Sequence, residues 1–164
     1  MATIVRLLLV GDEALILATV KHGLRACGYE VATADSGEAA LARAGVDTFQ
    51  LAILDVRMPG MNGLELGRLL RERNDLPSIY LSAIRDDELV AEAVRQGTLT
   101  CLVKPIDVAQ LIPVVEAALM RGREIRALAQ RVMHLDRAQA RSWCRKLDDY
   151  CSEMTASWTR GSGA

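Results

Sequence analysis

Four residues with charged or hydrogen-bonding side chains stand at the ends of apolar runs in this sequence, namely Asp12, Asp55, Ser82 and Lys104. Asp55 is the clearest example, because the stretch LAIL precedes it and a loop containing Pro, Gly and Asn follows it. A carboxylate that is buried without a partner is costly. An acid in this position must therefore be neutralised or used in chemistry.

The residue types at these positions suit phosphoryl transfer assisted by a divalent cation. Two neighbouring acids repel each other, and Mg²⁺ relieves the repulsion by binding one or two carboxylates together with phosphate oxygens. A carboxylate is also a nucleophile that can form an aspartyl phosphate, while the metal neutralises the transferring group. Lys104 would bind a phosphate oxygen, and Ser82 would donate a hydrogen bond. The Lys104–Pro105 bond is a candidate cis peptide.

The chain alternates between predicted strands and predicted helices. Strands are predicted at 4–10, 29–34, 50–54, 77–82 and 99–103, and helices at 13–28, from 35 or 36 to 44, at 63–73, at 86–97 and from about 107. This alternation is typical of an α/β fold in which helices cover both faces of an open parallel sheet. Ligands of such sheets bind beyond the carboxyl ends of the strands. The four polar residues are therefore expected to meet at one edge.

The composition is that of an ordinary globular protein of 164 residues, 51% of them hydrophobic and 25% charged. Aromatic residues make up only 4%, so the core must be aliphatic. The sequence contains no apolar run long enough for a transmembrane helix and no features of a signal peptide. The four cysteines form no CxxC pair, which favours reduced thiols. These features predict a cytoplasmic protein that does not bind membranes.

Residues 4–120 resemble the receiver domain of two-component response regulators. The segments that carry the resemblance are LLLVGDE, YEVATADSGEAAL, LAILDVRMPGMNGLEL, IYLSA and CLVKPI, in the family's order and spacing. The resemblance implies a flavodoxin-like five-stranded sheet and an Asp55 that accepts a phosphoryl group from a histidine kinase or a phosphotransfer protein. It further implies Mg²⁺ held by Asp12, Asp55 and the backbone carbonyl of Arg57, with Ser82 and Lys104 as the family's hydroxyl and lysine.

The resemblance predicts a phosphoacceptor and not an enzyme that acts on a separate substrate. Its own chemistry would be the self-catalysed phosphorylation and dephosphorylation of Asp55. A hydrolase with an aspartyl-phosphate intermediate is disfavoured, because no second acid–base carboxylate is evident beside Asp55. No GxxxxGK[ST] or GxGxxG motif occurs, so a loop that cradles a nucleotide is also disfavoured.

Three positions bear on whether this site is active. Gly11 stands where family members usually carry the first of two acids, which should weaken Mg²⁺ binding because ligand charge tunes affinity. Glu13 would compensate only if its longer side chain turns back to the site. Cys101 stands where the family usually has Tyr or Phe, and it has no ring to swing between buried and exposed states. The alternative is therefore a degenerate receiver that works as an interaction module without phosphate.

Charge divides the chain near residue 122. Residues 1–122 carry 12 basic and 16 acidic side chains, whereas residues 123–164 carry 8 and 5. We expect a receiver over 1–122, a C-terminal helix for dimerisation or output over 123–158, and a flexible tail over 159–164. An apolar stripe with coiled-coil spacing runs along this helix and consists of Ile125, Leu128, Val132 and Leu135. It predicts a homodimer in which two helices cover each other's stripe. The alternative is a helix that folds back on its own receiver.

A second, weaker resemblance concerns response regulators with an ANTAR output domain. It is carried by DDELVAEAVRQG and by LVKPIDVAQLIPVVEAALMRGREIRALAQRV. That family binds RNA hairpins to prevent transcription termination, through a three-helix domain that follows a coiled coil. The remaining residues show no clear match to that domain. Nucleic-acid binding is therefore not favoured, and an ANTAR-like antiterminator with a shortened output domain remains an alternative.

Overall fold

The strands form at short runs of Leu, Ile, Val and Ala, which a parallel sheet buries on both faces. The computed structural model describes residues 3–83, 88, 91–92, 95 and 100–131. The strands within these residues are β1 (Arg6–Val10), β2 (Glu30–Ala34), β3 (Leu51–Asp55), β4 (Ser78–Ser82) and β5 (Thr100–Val103). The first four strands are joined by α1 (Ala14–Ala26), α2 (Gly37–Val46) and α3 (Gly63–Asn74). A C-terminal helix is described over residues 108–131.

The strands form one parallel sheet in the order β2-β1-β3-β4-β5. From β1 the chain adds β2 on one side and then β3, β4 and β5 on the other, so the topological switch point lies between β1 and β3. Sheets of this kind have a crevice at the carboxyl ends of the two strands at the switch point. The predicted α/β class, the flavodoxin-like five-stranded sheet and the long C-terminal helix are confirmed. The predicted helix at 86–97 lies largely outside the described residues.

The strand boundaries differ slightly from the prediction. Each strand begins one or two residues later than expected. Asp55 is the last residue of β3 and not the first residue after it, because its backbone pairs with Leu81 of β4. The backbone of Asp55 is therefore fixed by the sheet itself, which gives its side chain a rigid support.

Two aliphatic layers enclose the sheet, and successive residues of each central strand alternate between them. One layer packs α2 and α3 against residues that include Leu8, Ala52, Leu54 and Tyr80. The other contains residues of α1 and of the C-terminal helix together with Leu7, Leu9, Leu51, Ile53, Ile79 and Leu81. Every residue of β3 and β4 is buried. The central strands are thus the most constrained part of the sheet.

The chain divides by compactness into two units, Met1–Gly122 and Arg123–Ala164. The first unit holds the sheet and residues 108–122 of the C-terminal helix, and residues 123–131 belong to the second. Pro113 and Gly122 both lie within the helical range, so neither ends the helix. The predicted continuation to Trp158 and the tail at 159–164 lie outside the described residues. None of the helices in the described part of the chain combines the length and apolar character needed to cross a bilayer.

Gly67 allows α3 to pack directly on the buried ring of Tyr80 in β4. A Cβ built at this glycine would overlap Tyr80 Oη and would lie 2.8 Å from Tyr80 Cζ. The tyrosine is only 2% exposed, so its ring has little room to move away. The glycine therefore sets the distance between α3 and the sheet.

The variant Gly67→Ala is expected to lower the free energy of unfolding by about 1–3 kcal/mol, because the added methyl group overpacks this contact. Gly45→Ala is the matched control, since Gly45 is exposed on α2 and no atom lies within 4 Å of a Cβ built there. The control should stabilise the protein by about 0.5–1 kcal/mol through helix propensity. Urea denaturation measures both changes. Equal stabilities for the two variants would mean that Tyr80 relaxes without strain.

Candidate functional site

The ends of β1, β3, β4 and β5 bring the predicted site residues to one edge of the sheet. Asp12 lies two residues after the end of β1, and Asp55 and Ser82 are the last residues of their strands. Lys104 directly follows β5, and its backbone N–H donates to the carbonyl of Ser82 at 2.7 Å. This bond continues the ladder between β4 and β5 by one residue. The lysine therefore leaves the sheet at a position set by its neighbouring strand.

The Asp55 carboxylate is buried but not unpaired. The residue is 5% exposed. Its Oδ2 accepts a hydrogen bond from Lys104 Nζ at 2.5 Å, and its Oδ1 accepts one from the backbone N–H of Arg57 at 3.1 Å. Both oxygens thus have a donor, and one of those donors carries a positive charge. This answers how an acid is tolerated at the end of a buried strand.

Lys104 is shared between two carboxylates. Its Nζ also donates to Oε1 of Glu13 at 3.2 Å. Burial alone would lower the pKa of the lysine, but hydrogen bonding and attraction from Asp55 and then Glu13 outweigh it, so its pKa is raised. The ammonium is therefore a permanent positive charge at neutral pH. The peptide bond between Lys104 and Pro105 is cis, as the sequence suggested.

Asp12, Glu13 and Asp55 form an acidic cluster around the same edge. One carboxylate oxygen from each residue lies within 4.8 Å of the others, and Asp12 and Glu13 are exposed. Carboxylate oxygens are the ligands that Mg²⁺ prefers, so the donors present fit this cation. The structure thus brings Glu13 into the cluster, which the sequence left open.

Ser82 and Arg57, the other two predicted site residues, also lie at this edge of the sheet. Ser82 is 3% exposed and lies in register with Val103 of β5. Arg57 lies two residues after Asp55 and meets its carboxylate through the backbone N–H. The roles of the Ser82 hydroxyl and the Arg57 carbonyl stay predictions.

Gly11 leaves an open position beside Asp55. A Cβ built at this glycine would lie 3.6 Å from Asp55 Cβ and 3.8 Å from Asp55 Oδ2, with Leu17 Cδ2 at 3.5 Å. These are ordinary contacts, so a Cβ fits there without moving its neighbours. Position 11 therefore lies beside Asp55 Oδ2, the oxygen that Lys104 contacts. The acid that the family usually carries at this position would lie next to the Asp55 carboxylate.

Gly63, which the sequence analysis did not single out, controls how closely α3 approaches Asp55. A Cβ at Gly63 would overlap the carbonyl oxygen of Asp55 and would lie 2.8 Å from the carbonyl carbon. The N–H of Gly63 donates to the carbonyl of Val56 at 3.0 Å, and Asn62 caps α3 by accepting from the N–H of Glu65 at 2.9 Å. An Asn followed by Gly at a helix start is the signal that indicates this arrangement.

Cys101 lies on β5 in register with Tyr80 of β4 and is partly buried against the α2 and α3 layer. Burial raises the pKa of its thiol. The large aromatic side chain in this region belongs to Tyr80, which is 2% exposed. Position 101 therefore offers a small neutral side chain and no ring.

The sheet order and the cluster at its carboxyl edge define the class of protein, a flavodoxin-like α/β domain with an acidic site at the topological switch point. The family described as response regulator receiver domain matches residues 7–116. The chain belongs to this receiver-domain family of two-component response regulators, as its motifs predicted.

Similar proteins include regulators that are longer than this chain. The transcriptional regulatory protein PdtaR of Mycobacterium tuberculosis is 37% identical over 131 residues, which cover 79% of this chain and 64% of PdtaR. The regulatory protein VanRB of Enterococcus faecalis is 38% identical over 118 residues, 72% of this chain and 54% of VanRB. The chemotaxis protein CheY4 of Vibrio cholerae is similar in structure, with a TM-score of 0.67, 32% identity and coverage of 71% of this chain and 99% of CheY4. This chain thus spans between half and two thirds of the two regulators.

Proposed function

We propose that this receiver accepts a phosphoryl group on Asp55 from a histidine kinase or a phosphotransfer protein. The observation that carries the proposal is the Asp55 carboxylate itself, which is 5% exposed and is held between a lysine and two further acids. A buried carboxylate that contacts a lysine ammonium and has further acids beside it is typical of a site for phosphoryl transfer. A purely structural ion pair would not need the additional acids. The chain acts on no separate substrate, and its own chemistry is confined to Asp55.

Each residue at the carboxyl edge of the sheet has its own role in the proposed phosphoryl transfer. An oxygen of Asp55 bonds to phosphorus while the bond from phosphorus to the donor's nitrogen breaks, and the donor nitrogen keeps that electron pair. The Lys104 ammonium moves from the Asp55 carboxylate to bind a phosphoryl oxygen, and the Ser82 hydroxyl donates a hydrogen bond to another phosphoryl oxygen. Asp12, Asp55, Glu13 and the Arg57 carbonyl would hold Mg²⁺, which neutralises charge on the transferring group.

Output is proposed to pass through the C-terminal helix. Two similar proteins carry the names transcriptional regulatory protein and regulatory protein, which supports a role upstream of gene expression. Ile125 and Leu128 lie three residues apart on this helix and are 54% and 57% exposed. An apolar pair at helical spacing is best covered by a second copy of the same helix. The proposed assembly is therefore a homodimer, and direct binding of nucleic acid is possible but not favoured.

Phosphorylation is tested by incubating the protein with Mg²⁺ and a small phosphodonor and measuring its intact mass. One added phosphoryl group is expected, and it should be absent in Asp55→Asn. Asp75→Asn is the matched control, because Asp75 lies at the far end of α3 in a left-handed conformation that Asn also adopts. An unchanged mass for the folded wild-type protein under saturating donor would favour the degenerate receiver.

The consequence of Gly11 is tested by restoring the missing acid. Gly11→Asp is expected to tighten Mg²⁺ binding by roughly tenfold, because it adds an anionic group beside Asp55 in a position with room for it. Gly11→Asn has the same shape without the charge and should bind Mg²⁺ no more tightly than the wild type. Calorimetric titration of the three proteins measures the affinities. Equal affinities for Gly11→Asp and Gly11→Asn would show that charge at position 11 does not matter.

Dimerisation is tested by placing charge in the apolar stripe. Burying an aliphatic side chain contributes roughly 1.5–3 kcal/mol, whereas burying an unpaired carboxylate is costly. The full chain should therefore be a dimer at micromolar concentration, and Leu128→Glu with Leu135→Glu should be monomeric, as should a chain truncated after Gly122. Gln130→Glu adds a charge at an exposed polar position of the helix and should leave the dimer intact. Light scattering decides between these states, and a monomeric wild type would support a helix that folds back instead.

A further inference from the structure

Glu13 belongs to two groups of residues at once. Its carboxylate lies in the cluster with Asp12 and Asp55, and its Oε1 accepts from Lys104 Nζ at 3.2 Å. A divalent cation bound in this cluster and the Lys104 ammonium would repel each other, because both are positive and both would lie close to the same carboxylates. The lysine lies 3.2 Å from Glu13 and 2.5 Å from Asp55, so its contact with Glu13 is the weaker one and the one that such repulsion would break first.

Position 11 explains why Glu13 contacts the lysine. A Cβ at that position would lie 3.8 Å from Asp55 Oδ2, the same oxygen that Lys104 approaches to 2.5 Å. An acid at position 11 would thus be within reach of the lysine as its second carboxylate. With Gly11 in place, that second carboxylate comes from Glu13.

The two ends of this ion pair differ in their freedom to move. The side chain of Lys104 is 13% exposed and keeps its contact to Asp55, whose side chain is 7% exposed. The side chain of Glu13 is 59% exposed, so it can change partners without disturbing the core. Release of Glu13 leaves the lysine paired with Asp55 and not isolated.

We propose that Glu13 exchanges partners, holding Lys104 in the cation-free site and joining Asp12 and Asp55 around a divalent cation when one binds. The exchange deepens the proposed function and rests on it. It frees the Lys104 ammonium to follow charge onto a phosphoryl oxygen. It also makes cation binding compete with the lysine, so the cation is held less tightly than three carboxylates alone would hold it.

A double-mutant cycle on the full chain tests the exchange, with Mn²⁺ affinity read from the electron paramagnetic resonance signal of the free ion. Glu13→Gln should weaken Mn²⁺ binding in the wild-type background. In the Lys104→Gln background, where Glu13 has no lysine to leave, the same change should weaken binding by at least roughly threefold more. Glu65→Gln, which removes an exposed acid three residues into α3, is the control for loss of charge and should act equally in both backgrounds.

A second measurement needs no change at Lys104. The chain has only three lysines, Lys21, Lys104 and Lys146, so selective ¹³Cε labelling gives three signals. Addition of Mg²⁺ should shift the Lys104 signal in the wild type and leave the Lys21 signal unchanged. The cation-free Lys104 signal of Glu13→Gln should already have moved toward the Mg²⁺-bound position. This measurement stays valid if Lys104→Gln destabilises the fold by removing the positive charge paired with Asp55.

The outcomes separate the exchange from the function on which it rests. Equal effects of Glu13→Gln in both backgrounds, or a Lys104 signal indifferent to Mg²⁺, would overturn the exchange while leaving the metal site and phosphorylation intact. Absence of cation binding in every variant, Gly11→Asp included, would overturn both the metal site and the exchange. A loss of phosphorylation with normal cation coupling would overturn the proposed function of Asp55 alone.

Discussion

The arrangement of the site at the carboxyl edge of the sheet depends on the Asp55 carboxylate, which lies at the end of a fully buried strand. Asp55 ends β3, whose residues are all buried, and its charge must be balanced where it lies. The balancing charge comes from Lys104 after β5, on the far side of β4. The parallel alignment of β3, β4 and β5 brings these two residues together at the carboxyl ends of the strands. The pairing of Asp55 with Lys104 therefore depends on the order of the strands in the sheet.

The backbone around Asp55 is fixed as firmly as its side chain. The N–H of Val56 donates to the carbonyl of Leu81 at 2.9 Å, and α3 begins against the Asp55 carbonyl at Gly63. The Asp55 carboxylate is thus buried and held on both sides, whereas Asp12 and Glu13, the other members of the cluster, are exposed. A buried acceptor that is already in position needs little reorganisation when charge develops on it during a reaction.

The sequence predicts those features that depend on local pattern. Apolar runs and the polar residues that end them indicated the sheet and the convergence of Asp12, Asp55, Ser82 and Lys104 at one edge. The ion pair between Glu13 and Lys104 was not predicted, because it joins residues 91 apart and depends on a side chain turning back. The close packing at Gly63 was missed for a related reason, since periodicity describes an element and not the distance between two of them. The residue type shows that Cys101 has no ring, but its pairing with Tyr80 could be found only from the register of β4 and β5.

The absence of an aromatic ring at position 101 bears on how a change at Asp55 would reach the C-terminal helix under the proposed function. The shortest connection is the chain itself. Lys104 is tied to Ser82 by its backbone N–H, and Asp107 caps the helix by accepting from the N–H of Ala109 at 2.9 Å. Only residues 105–107 separate the lysine from the helix, which begins at 108. A displacement of Lys104 toward a phosphoryl oxygen therefore acts on β5 and the helix start directly, without a side chain that changes between two positions.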